Sequence, residues 1–339
     1  MNAPNVPKPA PPAFKLSVSR GARVEPPRVV IHGAPGIGKS TLASCAPSPV
    51  FIDLEHGTLQ LDVARVDNVD TWENMLSAVR ALATEPHDFK TVAIDTLDKA
   101  EWLCWKHLCA KYRVDSIEKV GGKNGQSGYG RGYIAAYEEF RVLARELDAL
   151  RTRRGMAVIV IAHSKIEKAP NALGEEFERW TLKVHKLIAG LFYEGFDAVL
   201  FARLEVFTRQ SESGKTKGFG DRRVMETQEA PAWLAKNRFR LPAQIPLSWD
   251  DLNAGMTRGE VEMVTSLSEE IDAAVKRLGA LDTQAADNAL TTLKKTDRTP
   301  AALSVLLNRI NAGVATREAA RASASDDTSN THTTDAGNA

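Results

Sequence analysis

The chain has 339 residues, 43% hydrophobic and 26% charged, enough for one large soluble α/β domain with an appendage. Its 44 basic and 43 acidic side chains leave a net charge of +1, which excludes a global attraction for nucleic acid and confines any such binding to local patches. Three cysteines, Cys45, Cys104 and Cys109, provide no disulfide framework and suit a reducing cytosol, and no apolar run reaches the ~18 residues of a membrane span.

In chain order, residues 1–13 are proline-rich, lack the apolar stretch of a signal peptide and are expected to be disordered. Phe14, Leu16 and Val18 alternate with polar residues and predict a short edge strand. The apolar run Val29-Val30-Ile31 then leads into Gly33-Ala34-Pro35-Gly36-Ile37-Gly38-Lys39-Ser40-Thr41. This is G-x-x-x-x-G-K-S, a phosphate-binding P-loop between a strand and a helix. Its glycines let backbone N–H groups turn inward on a triphosphate, aided by the positive end of the next helix. Lys39 is spaced to reach the β- and γ-phosphates and Ser40 to ligate Mg²⁺, so ATP and Mg²⁺ are the expected cofactors.

A second buried strand, Val50-Phe51-Ile52, is followed by Asp53 and Glu55. A carboxylate at such a strand end can activate an attacking water; Glu55 is the candidate base and Asp53 its competitor. Thr71 to Ala83 predicts a helix capped by Thr71, with Trp72, Met75, Leu76, Val79 and Leu82 on one face. The strand Thr91-Val92-Ala93-Ile94 ends in Asp95, the expected Walker B carboxylate of the Mg²⁺ shell. A helix through Trp102 and Leu108 follows; Cys104, His107 and Cys109 on it match no recognised zinc spacing.

Residues 120–132 contain six glycines and predict a loop, Ile134 to Arg151 an amphipathic helix, and Met156 to Ala162 a buried strand. That strand ends at His163, whose side chain is expected to face the γ-phosphate and report nucleotide state. Phe196 to Phe207 and Arg223 to Met225 read as later strands around a glycine-rich turn, Ser213 to Gly220. The alternation implies a mostly parallel sheet flanked by helices on both faces. The ATPase core is expected to span residues 14–254. A helical region follows at 255–317, with helices near 259–278, 284–294 and 301–311, and then a disordered tail at 318–339.

Taken together, the blocks from Val29 to Thr41, Phe51-Ile52-Asp53-Leu54-Glu55-His56, and the strands ending at Asp95 and His163 resemble the RecA/Rad recombinase core. Bacterial RecA has a similar string after its second strand, whose glutamate is the catalytic base. That resemblance implies that Glu55 is the base here. RecA ends its sensor strand in an Asn-Gln pair; this chain departs from it with Ala162-His163-Ser164. Lys236-Asn237-Arg238 resembles the Lys-Asn-Lys stretch with which RecA reaches a neighbour's nucleotide. It implies that Lys236 and Arg238 act in trans within a homo-oligomer, a ring or a filament.

The Gly-Tyr-Gly-Arg-Gly-Tyr stretch at 128–133 and the Ala-His-Ser ending look like phage-encoded RecA-core ATPases of the Sak single-strand annealing type. The resemblance covers residues 14–250 and lacks the large N-terminal polymerisation domain of some recombinases. It implies a Mg²⁺-dependent ATPase that binds single-stranded DNA and promotes annealing or strand exchange, in the cytoplasm of a bacterial host and without a membrane. Its implied partners are single-stranded DNA, further copies of the chain and a single-strand-binding protein.

Three basic stretches could meet DNA: Lys119 to Arg131, Ser164 to Lys186 and Arg209 to Arg223. Basic groups track phosphates and aromatic rings stack on bases. In recombinases the loop after the sensor strand touches DNA, which favours the second stretch and its Lys165, Lys168, Arg179 and Lys183, although Glu175, Glu176 and Glu178 dilute its charge. An ATP-switched helicase loader and a small-molecule P-loop kinase are the competing functions. The Glu55 string, and the lack of an evident lid with clustered arginines, argue against the kinase.

Overall fold

A computed structural model describes residues 25–123, 126–169, 174–205, 207–210 and 216–329. The expectations for residues 1–13, for the strand at Phe14 to Val18 and for residues 330–339 fall outside these. The chain forms two compact units, one of residues 25–265 and one that takes in residues 266–329.

The first unit is built on a ten-stranded sheet. Its elements run β1 (Arg28–Gly33), α1 (Lys39–Ser44), β2 (Pro49–Asp53), β3 (Ala64–Arg65), α2 (Trp72–Thr84), β4 (Thr91–Asp95) and α3 (Leu97–Tyr112). After a single 3₁₀ turn come α4 (Arg131–Arg154), β5 (Ala157–Ala169), β6 (Phe177–Leu182), α5 (Lys186–Gly195) and β7 (Ala198–Leu204). Then follow β8 (Phe207–Gln210), β9 (Thr216–Phe219), β10 (Arg223–Glu226), β11 (Lys236–Asn237), β12 (Gln244–Pro246) and α6 (Trp249–Leu281).

The strand order is β12-β10-β7-β1-β5-β4-β2-β3, parallel from β7 through β3 and antiparallel at β10 and β12. Alternate residues of one strand serve two cores. Val30, Ile52, Ile94 and Val160 pack with α2, α3, α4 and α5, while Val29, Ile31, Phe51 and Ile159 pack with α1 and the start of α6. Both faces are covered, so these strands read as unbroken apolar runs rather than as alternation. Helix α2 starts where its cap predicts: the Thr71 side chain accepts from the Asn74 N–H at 3.1 Å.

The strand expected to end at His163 continues to Ala169 and turns back as β6. The described part of the stretch from Ser164 to Lys186 is therefore largely a pair of antiparallel strands, 164–169 with 177–182, where a loop was expected. Its cross-strand pairs explain the difference: Ile166 faces Trp180, Glu167 faces Arg179 and Lys168 faces Glu178. β-branched, aromatic and opposite-charge pairs stabilise such a ribbon, and a count of charges along the chain does not show them.

The second unit contains three helical segments: the end of α6, α7 (Thr283–Lys295) and α8 (Pro300–Ser329). Ile271, Leu278, Leu303 and Ile310 are buried there. Asp282 caps α7 by accepting from the Ala285 N–H at 3.0 Å and also holds Arg317 of α8 at 2.8 Å. All three helices are longer than the periodicity predicts. Residues 318–329, expected in the disordered tail, extend α8, as their alanines favour.

Candidate functional site

The parallel register brings the candidate residues together. Gly33 at the end of β1 lies opposite His163 of β5 and Ala202 of β7, and Asp53 of β2 lies opposite Asp95 of β4. The P-loop, both strand-end aspartates and the histidine thus share the C-terminal edge of the sheet, where α/β folds bind ligands. Gly33 is required by this closeness, because a Cβ there would run into the Ala202 carbonyl. Gly38 enters α1 with φ of 109°, a left-handed conformation open to glycine. Helix α1 has only six residues, so the phosphate cradle rests on loop amides more than on a long helix dipole.

Lys39 is buried, and its ammonium donates to the carbonyls of Gly33 at 3.1 Å and Ala34 at 3.0 Å. Burial lowers its pKa, and the carboxylates of Asp95, Asp98 and Glu55 oppose that shift. The Ser40 hydroxyl donates to Asp95 Oδ2 at 2.5 Å. Burial pushes the Asp95 carboxyl up to about 6, against the Ser40 bond, with the charges of Asp53 and Glu55 adding to the rise. A hydroxyl and a buried, charge-starved carboxylate form an oxygen pair that fits a hard divalent cation. Ser40 and Asp95 are the residues that would hold Mg²⁺.

The structure separates the two candidate bases. Asp53 is buried and accepts from the backbone of Gly57 and Thr58 and from the Thr58 hydroxyl. Burial alone would raise its carboxyl, but the bonds from Thr58 and Gly57 more than offset this and hold it below the usual range. Asp53 is thus the capping residue of its loop. Glu55 is exposed, and its Oε1 accepts from Thr96 Oγ1 at 2.8 Å.

His163 stands 3.9 Å from Glu55, measured from Nδ1 to Oε1. Asp98 grips it twice, accepting from Nδ1 at 2.9 Å and from the backbone N–H at 3.0 Å. Burial would raise the Asp98 carboxyl, yet these bonds keep it low. Thr96 and Asp98 carry no motif of their own. The available sequence signal is their place one and three residues after Asp95, where Thr96 caps α3 by accepting from the Lys99 N–H at 3.3 Å. On the same helix, His107 pairs with Glu73 at 2.5 Å and not with a cysteine.

Lys39, Ser40, Glu55, Asp95, Thr96 and His163 line one cleft of about 390 Å³. A second cavity of about 280 Å³ shares Gly38 and Thr41 with it and adds Arg223, Leu247, Trp249 and Asp250. Together they offer a polar compartment for phosphates and, past the end of the P-loop, a partly apolar one for a base and ribose.

Other predicted residues lie elsewhere. Lys236 and Asn237 pair with Val199 and Ala198 at the start of β7, the opposite edge of the sheet from the P-loop. The Lys236 ammonium donates to the carbonyls of Tyr193 at 2.7 Å and of Glu194 and Phe196 at 2.9 Å, closing the C-terminal end of α5. Arg238 is exposed and reaches Asp197 at 3.6 Å. On the hairpin, Lys165 donates to the Val184 carbonyl at 2.9 Å and pairs with Glu167 at 2.6 Å, while Arg179 pairs with Glu229 at 2.7 Å. Lys168 and Lys183 are exposed. No described helix is long and apolar enough to cross a membrane.

No curated protein matches the chain. A family profile, AAA_24, described as an AAA domain, matches residues 25–239, which include the P-loop, Glu55, Asp95 and His163. That match covers more than half of the chain, and it agrees with the parallel sheet and the cleft at its C-terminal edge. The chain therefore belongs to this AAA domain family and carries a P-loop nucleotide-binding ATPase domain.

Proposed function

We propose that the chain is a Mg²⁺-dependent ATPase of phage-type DNA recombination that binds single-stranded DNA and promotes annealing or strand exchange. The observation that carries this reading is the position of His163. It stands beside Glu55 in the P-loop cleft, and its strand runs on without a break into the β5–β6 hairpin, which carries Lys165, Lys168 and Arg179.

Bound Mg²⁺ would neutralise charge on the phosphate oxygens, held by Ser40 and Asp95. Lys39 exchanges its two P-loop carbonyls for β- and γ-phosphate oxygens. Glu55, aimed by Thr96, takes the proton of the attacking water. His163, fixed by Asp98, senses the γ-phosphate. Its carbonyl accepts from the Lys183 N–H at 2.9 Å, so a shift at His163 reaches the base of the hairpin. Hydrolysis then drives release of the assembly from the strand. Assembly is a ring or filament of copies in the cytoplasm of a bacterial host, on strands shared with a single-strand-binding protein. Arg238 is the better candidate of its pair to act on a neighbour's nucleotide, since Lys236 already holds three carbonyls.

The test is ATP turnover measured with and without single-stranded DNA, paired with a DNA-binding titration. Stimulation by DNA supports the reading. Turnover that ignores DNA, with no binding, overturns it, and dependence on a protein partner instead would identify a helicase loader.

A further inference from the structure

The two cavities that accommodate a nucleotide leave a third, larger than either, on the other side of the P-loop. It measures about 620 Å³ and shares Pro35 and Gly36 with the phosphate cleft and Arg223 with the second cavity. Three rings wall it. Trp180 stacks on Phe201 with centroids 6.0 Å apart and planes 25° apart, and Phe201 on Trp233 at 6.2 Å and 24°. Phe201 is buried, but Trp180 is 37% exposed, so the ladder ends in a ring face that is not consumed by the core. Centroids 6.0 and 6.2 Å apart leave no room for a further ring between them, so a planar ligand would stack on the outer face of Trp180.

Two arginines complete the lining. Arg203 lies 5.3 Å over Trp233 and is matched by Glu226 at 2.6 Å. Arg223 is exposed, and its Nη1 stands 3.2 Å from where a Cβ on Gly38 would be. Trp180 belongs to β6 directly across from Ile166, and Lys168 follows two residues later on that strand's same face. An open, aromatic cavity edged with cations fits a chain of planar groups joined by anionic links. An aromatic peptide side chain would use the rings and have no call on Arg223.

We propose that the Trp180–Phe201–Trp233 cavity is a stacking site for the unpaired bases of single-stranded nucleic acid, with Arg223 taking a linking phosphate. The proposal rests on the DNA-binding reading above and adds where the bases go. Its consequence is coupling by a shared wall: bases on one side of Pro35 and Gly36, nucleotide phosphates on the other.

The experiment compares a labelled thymidine oligomer with an abasic oligomer of the same length, by fluorescence anisotropy on the full chain. Both carry the same phosphates, and only the first can stack. The wild-type chain is expected to prefer the thymidine oligomer by about five-fold or more, since one stacked base contributes roughly 1–3 kcal/mol. Trp180→Ala should abolish the preference and Trp180→Phe should keep most of it. Trp180→Leu, which preserves apolar bulk without a ring, should behave as Ala does and gives the answer if Ala fails to fold. Arg223→Ala should weaken both oligomers alike. Free thymidine monophosphate should compete only weakly; efficient displacement would make the cavity a mononucleotide site and overturn the proposal. If the wild type binds neither oligomer, the DNA reading and the proposal fall together. If it binds both equally, or if Trp180→Leu retains the preference, DNA binding stands and the cavity is not its base site.

Discussion

Thr96 aims Glu55: the hydroxyl of the residue after Asp95 donates to Glu55 Oε1 at 2.8 Å. The two residues belong to different strand ends, joined because β2 and β4 pair with Asp53 opposite Asp95. One strand end therefore supplies both the candidate metal carboxylate and the group that orients the candidate base. A carboxylate fixed in this way has one oxygen committed and the other available to a water.

Replacing Glu55 by Gln keeps the size and the Thr96 contact but removes the proton acceptor. ATP binding should persist, while turnover falls by about 10²–10⁴-fold. Thr96→Val should lower turnover less and leave ATP affinity nearly unchanged, because it releases the base without removing it. Steady-state turnover at saturating ATP, together with a nucleotide-binding titration, checks both. Wild-type turnover in Glu55→Gln would remove Glu55 from the mechanism.

Lys39→Ala should weaken ATP binding and abolish hydrolysis, because it deletes the point charge that faces the β- and γ-oxygens. The fold should tolerate the change. Burial penalises this ammonium, and its only partners among the described residues are the two loop carbonyls and nearby carboxylates. An unchanged melting temperature with lost binding is the expected pair of results.

The parts of the site that follow local rules were legible from residues alone. The P-loop has fixed spacing, Asp95 ends an apolar strand, and Thr71 caps a helix with a pattern of period 3.6. What was hidden depends on pairing between distant segments. Strand-end position alone left Asp53 competing with Glu55; the RecA-like string favoured Glu55, and the hydrogen bonds from Thr58 show Asp53 committed to its own loop. Asp98 became visible only once α3 was set against β5. The β5–β6 hairpin was misread because its stabilising pairs lie across strands and not along them.

Lys165 and Arg179 already pair with Glu167 and Glu229, so they are poor choices for free phosphate ligands. Lys168 and Lys183 are exposed cations of the hairpin region. Affinity for single-stranded DNA should fall steeply with salt, and Lys168→Ala/Lys183→Ala should shallow the log–log slope by roughly 0.7 per lost contact. An unchanged slope in the folded double variant would move the phosphate contacts elsewhere.

Glu101 gives a pH signature. It is buried on α3 and accepts from the His185 N–H at 2.7 Å. Burial pushes its carboxyl from 4.5 up to about 7, against the His185 bond and the charge of Lys165 and with a small addition from Asp98. The folded chain thus keeps a proton that the unfolded chain has lost, and this group costs stability as pH rises from about 4.5 to 7. Glu101→Gln, neutral at every pH, should raise the melting temperature at pH 8 by an amount that shrinks towards zero at pH 4.5. The gain at pH 8 is bounded by roughly 3 kcal/mol for a shift of this size. A difference that is independent of pH would show that Glu101 is not the titrating group.

Lys236 and Arg238 differ as candidates to act on a neighbour's nucleotide. Lys236 closes α5 with three hydrogen bonds to Tyr193, Glu194 and Phe196. Its removal leaves helix-end carbonyls without their donor, a loss of about 1–3 kcal/mol in stability. Lys236→Ala should therefore lower the melting temperature, and any loss of ATPase in it cannot be assigned to a neighbour's site. Arg238 is exposed and loosely held, so Arg238→Ala should melt like the wild type. A cation donated across an interface contributes about 10³–10⁵ in rate in GTPases, and it makes hydrolysis depend on assembly. Mixing Lys39→Ala with Arg238→Ala provides the decisive measurement. If Arg238 acts in trans, each should be inactive alone, the first for want of a P-loop lysine and the second for want of the donated guanidinium. Interfaces that join an intact arginine to an intact P-loop should recover ATP turnover in the mixture. Normal turnover by Arg238→Ala alone, with single-stranded DNA present, would show that the group is not donated at all.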